Sequence, residues 1–331
     1  MPVPCRRSME EPPPGGLTEE VPVPRTPEPV VPDQTGRLAV VTGASDGIGA
    51  VIARRLAEAG AELVLPVRSA EKGARAVSRL RERVPGAVVA TRPLDLADLT
   101  SVRALTRDLV AEGRPVDLLV ANAGVMRPPH RQETADGHEL QWGTNHLGHV
   151  ALTLGLLPLL RSGRGRVVHQ TSVAARRGAI VWDDVDSRER YDVMRAYAAS
   201  KVANGLFALE LDARSRAGGW GVTSVLAHPG ISPTNLLAAQ PGLGRDRGTP
   251  ERRVVTLLSR LGVAGTVESA ALPALVAATD PTLTGGEFFG PRRLVGGPPA
   301  RSAPWAPFAD AGRARRLWDL SLAAVGATTP A

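Results

Sequence analysis

Thr42-Gly43-Ala44-Ser45-Asp46-Gly47-Ile48-Gly49 is the stretch whose reading decides the fold of this chain. A short, largely apolar run at residues 37–41 precedes it, and Val51, Ile52, Leu56 and Ala57 follow at helical spacing. Strand, glycine turn and helix is the arrangement a phosphate cradle requires, because the first amides of a helix lack intrahelical acceptors and face an anion. Gly43 permits the tight turn, Gly47 lets a pyrophosphate approach the backbone, and Gly49 allows helix and strand to pack closely. Glycine triplets also mark ordinary bends, so the flanking pattern carries the reading. Ser45, Asp46 and Ile48 share the turn and are counted with the glycines as cofactor-facing.

Of 331 residues only two are tyrosines and two are lysines, yet one of each falls four apart in Ala196-Tyr197-Ala198-Ala199-Ser200-Lys201. On a helix such a pair shares a face. A free phenol titrates near ~10, and a fixed cation beside it favours the phenolate and lowers that value. Such a tyrosine suits general acid/base chemistry. The plain alternative is an exposed tyrosine that merely precedes a lysine on a helix.

The two motifs together, with the spacing Gly-x-x-x-Gly-x-Gly, resemble the short-chain dehydrogenase/reductase family over roughly residues 36–290. Other segments match it in order. Asn122-Ala123-Gly124 resembles the element after the fourth strand, and Asn145 sits where the family carries its catalytic asparagine. Ser172 ends a strand-like run similar to the one that delivers the catalytic serine, with Thr171 as its neighbouring rival. His228-Pro229-Gly230-Ile231-Ser232-Pro233-Thr234 is similar to the loop that closes over the nicotinamide, which assigns Pro229, Gly230, Ile231 and Thr234 to the cofactor. Asp95, with Leu96 beside it, resembles the acceptor of the adenine amine; capping of the following helix is the alternative.

The resemblance implies a tetrad. Tyr197 exchanges a proton with the substrate oxygen, Ser172 donates to that oxygen, and Lys201 holds the nicotinamide ribose while depressing the tyrosine. Asn145 holds a water that links Lys201 to solvent; a structural amide in a helix bend is the alternative. The implied activity is hydride transfer between nicotinamide and a carbonyl or secondary alcohol. Reduction of a carbon-carbon double bond, or a non-catalytic nucleotide-binding scaffold or sensor, are the competing readings. Trp182-Asp183-Asp184, the Gly143 to His149 segment and the run after Ser200 look like the branch with retinol dehydrogenases and protochlorophyllide reductases, although Trp182 also suits plain core.

Val67-Arg68 at the end of the second strand sets the cofactor expectation. An acid there accepts from a ribose 2′-hydroxyl, whereas arginine complements a 2′-phosphate. NADP is therefore favoured, with NAD allowed, since Arg68 also suits a surface cap and Asp46 adds no positive charge.

The formal charge is +7, but the arginines are spread along the chain rather than clustered beside aromatics, so nucleic acid is not expected as a partner. A small-molecule carbonyl or alcohol is. Cys5, the only cysteine, excludes an intramolecular disulfide and makes a cytoplasmic setting the default; neither a signal peptide nor a membrane span is expected. Ten of the 29 prolines fall within residues 1–34, which read as a disordered tail.

Alternating segments then predict an α/β, Rossmann-type doubly wound sheet of seven parallel strands in a single domain over residues 35–290. Strands are expected at 37–42, 61–67, 86–92, 116–121, 165–170, 221–227 and 285–289, and helices near 47–59, 69–83, 98–112, 136–160 and 194–217. Residues 232–265 read as a substrate lid or a variable surface loop. Residues 291–331 are expected to be a loop and an amphipathic helix, for packing or contact within a homo-oligomer.

Overall fold

The computed structural model describes residues 29–233, 241–249, 251–261 and 263–329; Thr234 and the tail before residue 29 lie outside them. Eight strands form one sheet: β1 Leu38–Val41, β2 Glu62–Val67, β3 Val89–Pro93, β4 Leu118–Ala121, β5 Arg166–Gln170, β6 Thr223–Ala227, β7 Phe288–Arg293 and β8 Gly296–Ser302. Their order is β3-β2-β1-β4-β5-β6-β7-β8, parallel except for the last pair. Between them run α1 Gly47–Glu58, α2 Ala70–Arg83, α3 Leu99–Glu112, α4 Leu140–Trp142, α5 Gly148–Gly155, α6 Leu157–Ser162, α7 Val193–Gly218, α8 Glu251–Arg260, α9 Val267–Thr279 and α10 Ala311–Val325.

The strands are apolar on both sides because both sides are covered. In β1, Leu38 and Val40 face the core built by α3, α5, α7 and α10, while Ala39 and Val41 face α1 and α9. The strand order reverses between β1 and β4, so the ends of these two strands diverge and leave a crevice. That crevice positions the site.

Three expectations need correction. The sheet has an eighth strand where a loop was expected: β8 pairs antiparallel with β7, from Phe288 opposite Ser302 to Arg293 opposite Gly296. Its Pro298 and Pro299 hid it, since proline is tolerated at a sheet edge but argues against a strand in sequence. The expected tail ends too late. Gln34 is buried, its backbone amide donates 2.7 Å to the Ala59 carbonyl, and Val31 packs against the apolar core under α1. The single helix expected over 136–160 is interrupted by a π-turn at Gly143–Leu147, between α4 and α5. The extra residue in that turn is invisible to a periodicity of 3.6.

Candidate active site

Helix α7 owes its length to a clear start and stop. Asp192 caps it by accepting from the Met194 and Arg195 amides at 3.0 and 2.8 Å, and Gly219 ends it in the left-handed region at φ 61°. Tyr197, Ser200, Lys201 and Asn204 recur on one buried face. That face turns toward the end of β5. Lys201 Nζ donates 3.3 Å to the Gln170 carbonyl, as does Asn204 Nδ2 at 3.1 Å. Thr171 Oγ1 donates 2.7 Å to the Lys201 carbonyl. Thr171 is thereby committed to holding the helix, which leaves Ser172 as the hydroxyl toward Tyr197.

Ser172 caps the short 3₁₀ turn Val173–Arg177, its Oγ accepting from the Ala174 amide at 3.3 Å. The same side chain hydrogen-bonds the Tyr197 phenol and pulls its pKa down, but burial is the larger influence and pushes the phenol above its ordinary value. Lys201 Nζ stands 5.9 Å from the Tyr197 ring centroid. Burial alone lowers the ammonium to about 8. The expectation of a tyrosine depressed by its lysine is thus corrected: both groups are almost wholly removed from water, and burial sets the direction of the phenol's shift.

Asn145 lies in the π-turn, fully buried. Its Oδ1 accepts from the Val125 amide at 2.7 Å, and its Nδ2 donates to the Val125 carbonyl at 3.0 Å and to Ser200 Oγ at 3.1 Å. These bonds join Asn145 to Val125 and Ser200. They tie the irregular segment after β4 to α7. A Cβ on Gly124 would lie 3.1 Å from Asn145 Oδ1 and 3.5 Å from Lys201 Nζ, so this glycine keeps the three residues in contact range.

On the crevice side, Gly43 and Gly47 take φ of 67° and 57°. A Cβ on Gly49 would fall 2.4 Å from the Gly43 carbonyl oxygen and 2.5 Å from Asn122 Nδ2, whereas one on Gly47 meets nothing within 4 Å. The turn is therefore packed behind and open in front. Asp46 caps α1 and accepts from the Gly47 amide at 2.7 Å. Thr42, absent from the expected set, is the hub behind the turn: its Oγ1 accepts from the Asn122 and Ala123 amides, both at 3.0 Å. His149 completes the hub. Its Nδ1 faces the Asn145 carbonyl at 3.0 Å, which only accepts, so Nε2 is the acceptor for the Thr42 hydroxyl at 3.0 Å.

Arg68 is exposed at the end of β2, with Nη2 3.3 Å from where a Cβ on Gly242 would sit. Arg79, which no local pattern marks, reaches from α2 to donate 2.8 Å to the Ser45 carbonyl. Asp95 Oδ1 accepts from the Ala97 amide at 2.9 Å within its own turn, while Leu96 is buried against Gly148. Gly230 takes φ 73°, and the Ile231 amide donates 3.0 Å to the Val295 carbonyl; Pro229 precedes them after buried His228. Leu243 and Arg245 bring the next described segment back, through Gln132 Nε2 to the Leu243 carbonyl at 3.0 Å and Arg245 Nη1 to the Met126 carbonyl at 2.9 Å.

A dinucleotide fits these residues. The glycine turn presents open backbone at a helix N-terminus, and Gln170 Oε1, at the end of β5 between Asn122 and Lys201, is buried without a protein hydrogen-bond partner. Among the described residues no cluster of ligands suits a metal, and no helix is long and apolar enough to cross a membrane.

A parallel sheet that reverses order beside a glycine cradle, with a buried tyrosine and lysine across the crevice, defines a dinucleotide-binding α/β fold. The profile of the short chain dehydrogenase family matches residues 37–241, and the chain belongs to that family. Mouse polyprenol dehydrogenase is 44% identical over 213 residues, 63% of this chain and 63% of its own length. Human retinol dehydrogenase 12 is 42% identical over 203 residues, 61% of this chain and 63% of its own. The chain therefore spans a little under two thirds of these relatives. A solved protein from Beutenbergia cavernae, described as an NAD(P) dependent gluconate 5-dehydrogenase and carrying NADP at low occupancy, shares 27% identity with a TM-score of 0.60, over 78% of this chain and 96% of that one.

Proposed function

We propose that this chain is an NADP-dependent oxidoreductase that interconverts an apolar alcohol and its carbonyl compound. The observation that carries the reading is the buried Tyr197 phenol, bonded to Ser172 and flanked by Lys201, opposite the open glycine turn. Gly43, Gly47 and Gly49 with the N-terminus of α1 hold the pyrophosphate, Arg68 the 2′-phosphate, and Asn122 to Gly124 line the path to Lys201. Bound NADP supplies or receives the hydride.

The protein's own task is the proton. In reduction Tyr197 gives its phenolic proton to the carbonyl oxygen, and the hydrogen bond from Ser172 opposes the upward push of burial on the phenol. Ser172 donates to the same oxygen as charge develops there. Lys201, lowered to about 8 by burial and so still mostly protonated at neutral pH, returns a proton toward the phenolate. Asn145 acts as a positioning residue by clamping Val125 to Ser200. The names of the relatives, a retinol and a polyprenol dehydrogenase, support an apolar substrate.

The test is a panel of aldehydes, ketones and alcohols, including retinoid and prenyl compounds, followed at the nicotinamide absorbance with both cofactors. Turnover with NADPH on apolar aldehydes or ketones is expected. Binding of NADP without turnover of any compound would favour the non-catalytic scaffold.

A further inference from the structure

Of the nine large apolar side chains exposed among the described residues, four gather at one edge: Val254, Leu257, Leu261 and Val263, exposed by 58, 58, 66 and 51%. Val254 and Leu257 belong to α8, and Leu261 continues its last turn, its amide donating 3.0 Å to the Leu257 carbonyl. At about 100° per residue these three share one direction, with exposed Arg253 and Arg260 beside them. The opposite side of the helix is fastened. Ser259 Oγ donates 2.9 Å to the Gly265 carbonyl, and the Gly265 amide donates 2.9 Å to the Ile231 carbonyl. Val263 also adjoins the β7–β8 turn, its carbonyl oxygen 3.2 Å from where a Cβ on Gly296 would sit, and exposed Arg292 and Arg293 end β7 just before that turn. Apolar side chains thus occupy the outward face of this helix, and the described charged side chains beside them, Arg253 and Arg260, are cations.

We infer that this face docks on the surface of an anionic lipid bilayer. A helix whose outer side is apolar and edged by arginines lies in the headgroup plane, its apolar residues reaching about 5–10 Å into the acyl boundary. Arginines on the same side meet anionic headgroups there. A second copy of the chain fits less well. A stable interface takes roughly 800 Å² from each partner, more than a ten-residue helix edge offers, and a symmetric pairing would set the arginines against themselves. The docking stands apart from the proposed activity. What rests on that activity is the consequence: loop 229–231, which anchors α8, borders the proposed nicotinamide site, so an apolar alcohol dissolved in the bilayer would be held close to the chemistry.

Flotation of the full chain with vesicles tests this, using phosphatidylcholine alone and an equal mixture with phosphatidylserine, in the absence of substrate and cofactor. Flotation with the mixed vesicles, weakened by added salt, is expected. Leu257→Asp with Leu261→Asp should weaken it by about tenfold or more, and Arg253→Glu with Arg260→Glu should abolish the preference for phosphatidylserine. All four side chains are exposed, so melting temperature should not change in either variant. Failure to float with mixed vesicles, equal flotation by the aspartate variant, or a lipid-free dimer that this variant dissociates would overturn the proposal. Vesicle binding by a chain that turns over nothing would instead leave the surface standing and remove the enzyme reading.

Discussion

At the scale of the residue, burial rather than charge sets the chemistry of the site. Tyr197 and Lys201 were visible as a pair four apart, but a one-dimensional pattern carries no information about solvent, so the direction of the tyrosine's shift was misread. Thr42 and His149 were missed for a related reason: their partnership joins residues 107 apart in sequence. The placement of Arg68 just past the end of β2 was legible because it is local. Its guanidinium is exposed, and a charge-assisted hydrogen bond is worth roughly 1.5–3 kcal/mol before solvent screening. Arg68→Ala should therefore weaken NADP binding by about tenfold or more while sparing NAD. Dissociation constants for both cofactors at one ionic strength check this. Equal weakening of both would give Arg68 a structural role instead.

At the scale of the element, the strand-turn-helix unit that opens the fold has the tight turn and close packing that Gly43 and Gly49 predict, and the departures occur where the backbone breaks periodicity. The π-turn at Gly143–Leu147 adds a residue that lets Asn145 reach back to Val125, and β8 is carried by two prolines at an edge. Helix α10 also proves to be part of the site's support. Trp318 stacks on Phe207 of α7 with ring centroids 5.2 Å apart, and Ser321 Oγ meets His146 Nε2 of the π-turn at 2.8 Å. Gly49→Ala belongs to this scale. Its new Cβ would press on backbone at Gly43, so strand end and helix start must separate. The predicted result is a loss of about 1–3 kcal/mol of stability with a disproportionate loss of NADP affinity. Unchanged affinity in thermal melts with and without cofactor would show that the turn does not hold it.

At the scale of the whole molecule, alternation of segments made the doubly wound sheet legible, while strand order and the crevice at its reversal depend on contacts that no local pattern contains. Burial also makes the molecule acid-sensitive. His146 and His169 are lowered to about 3, and His149 and His228 to about 4, chiefly by burial. Their folded values lie below the unfolded value near ~6.5, so the stability held above that pH is lost as pH falls toward 4, by about 1.4 kcal/mol per unit for each histidine. His138, raised by Asp186, acts oppositely, its contribution complete at low pH and lost as pH rises through its folded value. Urea unfolding from neutral pH down to about pH 5 should show a steep net decline; a flat profile would contradict the burial of neutral imidazoles. The proposed function requires the crevice and α7 to form one site with separable duties, the former binding NADP and the latter moving the proton. Tyr197→Phe isolates the second duty, since it removes only the transferable proton. Measured side by side, the dissociation constant for NADPH should stay within about twofold of the parent while turnover falls by about 10²- to 10⁴-fold. Near-parental turnover in that variant, with binding intact, would contradict the central claim.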